Sequence, residues 1–202
     1  MENIDALKKD PAANARLRYR LRNANVYISQ AGYHFIDYLD PVGEVSPEID
    51  GSQLTDRELA YIETQLQANS QKFQHQVDVL KKHLPIKSAN VLDIGCGGGL
   101  FLSLLKREGA KVLGIELSDS RAHYAATKHG LNIYKHPIES DFWQTGYKNY
   151  FDAVTLWHVI EHVNYPVQTL QCALNVLKPG GLLLIDTPSR DSLYHQVGEV
   201  TY

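Results

Sequence analysis

The sequence predicts an α/β fold, a doubly wound parallel sheet with helices on both faces, preceded by a mainly helical N-terminal extension. Three observations carry this. From residue 89 onward, short apolar runs alternate with amphipathic stretches of helical period. Gly95, Gly97, Gly98 and Gly99 crowd into the junction between the first such run and the first helical stretch. Gly109, Gly130 and Gly180 fall just past helix ends or in connections, where left-handed backbone is useful. Strand and helix in alternation give a parallel sheet covered on both sides.

Residues 1–84 read as the extension and residues 85–202 as the sheet domain. Asp10-Pro11 starts a helix that carries Ala12, Ala13, Ala15 and Leu17. Arg16-Leu17-Arg18-Tyr19-Arg20-Leu21-Arg22 then alternates basic and apolar residues. As a strand it sets four arginines on one face; as a helix it spreads them around. The sharper reading is a patch for an anionic substrate or RNA. The plainer one, favoured by the overall acidic balance, is a solvated basic face. Val26-Tyr27-Ile28 and the aromatic run from Tyr33 to Leu39 form a hairpin across Ser29-Gln30-Ala31-Gly32. After a loop rich in proline and glycine, Thr55 caps a helix with Glu58 as its reciprocal partner. That helix runs to Leu84 with a break near Asn69-Ser70, on a stripe of Leu59, Ile62, Leu66, Phe73, Val77 and Leu80.

The predicted strands of the sheet domain are Asn90–Ile94, Lys111–Glu116, Leu131–Tyr134, Phe151–Leu156 and Gly181–Thr187. The predicted helices are Leu100–Glu108, Asp119–His129 and Pro166–Leu177. Lys178-Pro179-Gly180-Gly181 reads as a tight turn into the last strand.

Composition bounds the function. The chain has 202 residues, enough for one sizeable core and a small appendage, with 44% hydrophobic and 21% charged residues. A formal net charge of −3 argues against broad binding to nucleic acid. Two cysteines, Cys96 and Cys172, make no disulfide framework and fit a reduced compartment. The first residues are no secretory leader, and no apolar run approaches membrane-spanning length. A cytoplasmic protein without membrane or nucleic-acid partners is expected; oligomeric state is not legible.

The glycine turn selects among ligand classes. A phosphate-binding loop needs Gly-Lys-Ser/Thr, and none follows. The dinucleotide pattern Gly-x-Gly-x-x-Gly, started at Gly95, meets Leu100 where its third glycine belongs. What stands here is Asp93-x-Gly95-x-Gly97-x-Gly99. This resembles the first motif of class I S-adenosylmethionine-dependent methyltransferases, Leu-Asp-Ile-Gly-Cys-Gly-x-Gly, whose fold is Rossmann-like. The resemblance implies that Asp93, Gly95, Cys96, Gly97, Gly99 and Leu100 line the methionine part of the cofactor S-adenosyl-L-methionine. Cys96 reads as a small residue packed under the turn rather than a nucleophile.

About twenty positions beyond Gly95, Glu116 ends the second strand, with Leu117 beside it. A carboxylate there accepts hydrogen bonds from both ribose hydroxyls of a nucleoside, in nicotinamide and S-adenosylmethionine folds alike. After the third strand the family's acidic adenine contact is missing; Ile138 lies where the adenine ring is expected and Glu139 within reach of its edge. The fourth strand leads into Trp157-His158-Val159-Ile160-Glu161-His162-Val163, and Leu177-Lys178-Pro179-Gly180-Gly181 precedes the fifth. Both are similar to the ubiquinone-pathway small-molecule methyltransferases, so the resemblance covers about residues 85 to 190. It places Trp157 and His158 near the transferable methyl.

His158-x-x-Glu161-His162 also spells an inverted zinc-peptidase pattern, but that chemistry needs both histidines on one helix, and His158 leaves a strand. No metal site is expected. The resemblance implies methyl transfer to a small-molecule acceptor, with oxygen or nitrogen as the acceptor atom. His158 is the first candidate base and His162 the second. Two alternatives remain: a cofactor-binding protein without transferase activity, and a nicotinamide oxidoreductase, against which the absent third glycine counts. The family fold has seven strands, and this chain ends shortly after its fifth. A fragment lacking the last two strands is therefore expected.

Overall fold

The structure, a computed structural model, describes residues 16–20, 25–28, 34–36, 49 and 54–188. The helix expected from Asp10-Pro11 and the turn Ser29–Gly32 lie outside the described residues. Three short strands come first: β1 (Arg16–Arg20), β2 (Asn25–Ile28) and β3 (His34–Ile36), an antiparallel sheet in chain order. The arginine-rich run, as far as it is described, is thus a strand. The register slips between Leu17 and Tyr19, so the strict alternation of the sequence is interrupted at Arg18.

Helices α1 (Asp56–Ala68) and α2 (Ser70–Lys81) follow. The capping box is formed at α1: the Thr55 backbone N–H donates to Glu58 Oε2 at 2.9 Å, and Glu58 N–H donates to Thr55 Oγ1 at 3.3 Å. Asn69 separates the two helices where the sequence breaks its apolar stripe.

The second sheet comprises β4 (Asn90–Ile94), β5 (Lys111–Ile115), β6 (Asn132–Tyr134), β7 (Phe151–Trp157) and β8 (Leu177–Asp186), all parallel, in the order β6-β5-β4-β7-β8. Helices α3 (Leu100–Arg107), α4 (Asp119–His129), α5 (Asp141–Gly146) and α6 (Pro166–Val176) connect them, with a 3₁₀ turn at Ile160–His162. The short α5 has no period in the sequence to reveal it. It is held by Trp143, fully buried, whose indole N–H donates to the His136 carbonyl at 2.8 Å. Its aromatic run packs on Tyr134, Tyr147 and Phe151.

Two cores flank the sheet, as the period of two along each strand requires. Val91 and Ala153 face one side, with Val77 and Leu80 of α2, Phe101, Leu102 and Leu105 of α3, and Ala122 and Ala125 of α4. Leu92, Ile94, Val154 and Leu156 face the other, with Trp143, Ala173 and Val176. The expected turn at Lys178–Gly181 needs correction. It is an excursion inside β8, not a turn before it: Leu177 already pairs with Phe151, and pairing resumes at Ala153 with Leu182. Gly180, at φ +78, lets the chain loop out and return.

Candidate active site

The order of the second sheet reverses between β4 and β7. The chain winds outward from β4 to β6, then crosses back to β7 and β8. Open α/β sheets bind ligands in the crevice at the carboxyl ends of the strands flanking such a reversal. The glycine turn leaves β4 there, and Trp157 and His158 leave β7 beside it.

The turn is built on left-handed backbone at Gly95 (φ +71), Gly97 (φ +55) and Gly99 (φ +77). The N–H groups of Gly95 and Cys96 donate to the Ile115 carbonyl at 2.8 and 2.9 Å, which locks the turn to β5. The surroundings of these glycines differ. A Cβ on Gly95 would stand 2.5 Å from Val159, so the loop after β7 presses on the turn. A Cβ on Gly98 would meet Leu66 at 2.9 Å and Ile62 at 3.1 Å, which places α1 over the turn. A Cβ on Gly99 would strike Leu131 at 2.6 Å and Ala125 at 2.9 Å. At Gly97 nothing lies within 4 Å. That is the one position in the turn where the absent side chain leaves open space.

Asp93 lies beneath the turn. It is almost fully buried and accepts a 2.6 Å hydrogen bond from the Thr155 hydroxyl, its neighbour in the β4–β7 register. Burial, opposed by that bond and reinforced by the charge of Glu116, pushes its carboxyl up to about 8. Cys96 is buried as well, and burial raises its thiol well above the ordinary value. A thiol kept protonated is no nucleophile. Leu100 is the first residue of α3.

Glu116 follows β5 and is buried. Its Oε2 accepts from Gly97 N–H at 2.8 Å and its Oε1 from Ser118 N–H at 2.9 Å. Each carboxylate oxygen accepts two hydrogen bonds, so acceptor capacity remains on both. Beside it Leu117 leaves an apolar side chain 43% exposed. Ile138 is buried in the same core as Ile115 and Leu156. The Thr169 hydroxyl of α6 donates to Glu139 Oε1 at 2.5 Å.

Trp157 packs edge-on against Phe101, ring centres 5.4 Å apart, and its indole N–H is buried with no hydrogen-bond partner. An orphaned donor of this kind calls for an acceptor that the described residues do not supply. His158 stands at φ +55, with both ring nitrogens against carboxylates: Nδ1 3.2 Å from Glu161 Oε1 and Nε2 3.2 Å from Asp186 Oδ2. His162 lies on the exposed side of the 3₁₀ turn. Sequence reasoning did not single out Thr155, Val159 or Asp186. Asp186 carries the same signal as Glu116, an acid closing an apolar strand. The other two have no signal outside their register. Among the described residues, no group of three or more histidine, cysteine, aspartate or glutamate side chains could hold a metal ion. Among them too, no helix is long and apolar enough to cross a membrane.

The model of a methyltransferase domain family matches residues 59–201. A ubiquinone biosynthesis O-methyltransferase of Dinoroseobacter shibae is 38% identical over 116 residues, which cover 55% of this chain and 46% of that protein. Its counterpart in Nitrosococcus oceani is 33% identical over 118 residues, covering 57% and 50%. The chain thus spans about half the length of the curated relatives it matches. A Thermotoga maritima structure described as an S-adenosylmethionine-dependent methyltransferase, possible histamine N-methyltransferase, superposes with a TM-score of 0.57 at 26% identity, covering 72% of this chain and 65% of that one. A Methanococcus maripaludis structure shares the fold at a TM-score of 0.56 and 12% identity, covering 79% and 74%. With the family model spanning most of the sequence, and with this sheet order and this glycine turn, the chain belongs to the methyltransferase domain family, of the class I S-adenosylmethionine-dependent type.

Proposed function

We propose that the chain binds S-adenosylmethionine in the crevice between β4 and β7 and transfers its methyl group to a hydroxyl of a small-molecule acceptor. The observation that carries this is the open space at Gly97 beside the Glu116 carboxylate. Backbone bare of a side chain meets there a buried acid with unused acceptor capacity. Gly95, Gly97 and Gly99 shape the bed for the methionine part. Asp93 braces the turn from beneath and Cys96 fills the space under it. Glu116 takes the ribose hydroxyls, with Leu117 and Ile138 against the adenine. Glu139 ties the segment after β6 to α6 through one oxygen and keeps the other for the adenine edge. The orphaned Trp157 N–H and the two carboxylate oxygens of Glu116 are the unsatisfied groups such a ligand would fill.

When bound, the cofactor supplies a methyl carbon made electrophilic by its sulfonium. The chain's own residues position the reactants, exclude water and manage a proton. A hydroxyl acceptor must lose its proton, and His158, at the mouth of the crevice, is the base; His162 is the more remote second candidate. The O-methyltransferase relatives favour oxygen as the acceptor atom.

Calorimetric titration with S-adenosylhomocysteine, with NADH in parallel, tests the cofactor. The thioether should bind and NADH should not. Glu116→Ala removes two charged hydrogen bonds to the ribose, at about 1.5–3 kcal/mol each, and should weaken binding by roughly two to four orders of magnitude. Binding of NADH without the thioether would sink the reading.

A further inference from the structure

Two carboxylates meet His158 beyond the cofactor bed, each backed by a further polar side chain. Nδ1 meets Glu161 and Nε2 meets Asp186, each at 3.2 Å. The backbone N–H of His158 also donates to the Asp186 carbonyl at 2.7 Å, which holds the strained left-handed residue against the end of β8. The two carboxylates differ in tether. Glu161 sits three residues on, within the 3₁₀ turn, and its other oxygen accepts from the Thr187 hydroxyl at 3.2 Å. The Asp186 oxygen that touches Nε2 has an ammonium waiting 3.8 Å away, Lys72 of α2.

A neutral imidazole carries one N–H, so it donates to one carboxylate only and turns a lone pair towards the other. Which nitrogen keeps the proton is set by the firmer partner. Glu161 is firmer, being fixed by its turn and by Thr187. Asp186 has an alternative partner and can leave.

We propose that Glu161 and Asp186 are positioning residues: Glu161 holds His158 as the Nδ1–H tautomer, and Asp186 withdraws towards Lys72 as the acceptor hydroxyl takes its place at Nε2. This rests on the O-methyl-transfer reading. In the step, the hydroxyl proton passes to Nε2 while the oxygen's electron pair forms the bond to the methyl carbon. The carbon–sulfur bond breaks with its electrons staying on sulfur, which ends as a neutral thioether. His158 then leaves as imidazolium, donating from both nitrogens, and Asp186 can return to Nε2.

The test needs no acceptor. Long-range proton–nitrogen correlation spectra of the ¹⁵N-labelled chain, recorded on the neutral ring with His158 assigned by its His158→Gln variant, show which nitrogen is protonated. The wild type should carry the proton on Nδ1. Glu161→Ala should move it to Nε2. Glu161→Gln, whose amide oxygen still accepts, should restore Nδ1–H, and Asp186→Asn should leave it there. A wild-type proton on Nε2, or an unmoved proton in Glu161→Ala, overturns the proposal. Titration of the same samples with S-adenosylhomocysteine separates the two claims. Failure of the wild type to bind overturns the cofactor reading, whereas binding with the wrong tautomer overturns only the positioning.

Discussion

Alanine at Gly97 and at Gly99 should have opposite consequences. Both glycines are left-handed, at φ +55 and +77. Forcing an alanine into that region costs about 1–2 kcal/mol at either position. At Gly99 the new methyl would also lie 2.6 Å from Leu131 and 2.9 Å from Ala125, contacts that only a shift of the α4 side of the core relieves. Overpacking of this kind adds about 1–3 kcal/mol, for a total of roughly 2–5. At Gly97 nothing lies within 4 Å, so the backbone term stands alone. Urea unfolding followed by circular dichroism should therefore rank Gly99→Ala as the less stable variant. Affinity should rank them the other way. The space beside Gly97 is assigned to the cofactor, and a methyl placed there should weaken S-adenosylhomocysteine about tenfold or more, since about 1.4 kcal/mol is lost per decade. Native-like affinity in Gly97→Ala would show that the open space is not the ligand's. Equal stability losses in both variants would show that the contacts at Gly99 do not matter.

Three further expectations concern the surroundings of the turn. The Asp93 carboxyl is held up at about 8 when folded and has an ordinary value near ~4 when unfolded, so between these pH values the unfolded chain has lost a proton that the folded chain keeps. Stability should accordingly fall as pH rises through that window, by up to ~1.4 kcal/mol per unit from this group, and Asp93→Asn should flatten the slope in urea titrations; an unchanged slope would refute the assignment. Thr155→Val strips the buried carboxyl of its hydrogen-bond donor and should cost ~1–3 kcal/mol in the same assay, while a neutral result would mean that the bond contributes nothing net. His158→Ala should lower turnover with catechol as probe acceptor by about 10²–10⁴-fold and leave S-adenosylhomocysteine affinity close to wild type; the reverse pattern would make His158 a binding residue.

The sequence carried the alternation of the sheet domain because most strands there are short, mainly apolar runs and the longer helices have a clear stripe. β4 begins and ends at Asn90 and Ile94, as its run does, and α4 spans Asp119–His129 between an N-terminal serine and Gly130. α5 was not legible: six residues are too few for a helical period, and it is fixed by Trp143 inserting into a core assembled from distant segments. The excursion in β8 was read as a turn because Lys-Pro-Gly-Gly is turn chemistry; only the partner strand reveals that pairing has already begun at Leu177. For the candidate site, the residue types were visible and their bonds were not. Nothing in the string tells that Glu139 faces Thr169, or that His158 has a carboxylate on each nitrogen. Those pairings join residues 3 to 30 positions apart, and the fold alone brings them together.

The contact between Gly95 and Val159 has a thermodynamic consequence. The turn proposed to bear the cofactor and the segment that bears His158 fit against each other with no room for one methyl group. Neither can move towards the other unless the other yields. A ligand that settles one segment therefore settles its neighbour, and the second ligand meets a surface whose ordering has already been accomplished. Affinities for the proposed cofactor and acceptor should then be linked by a coupling free energy, equal in both directions, so whichever partner arrives first should tighten the hold on the other by the same factor.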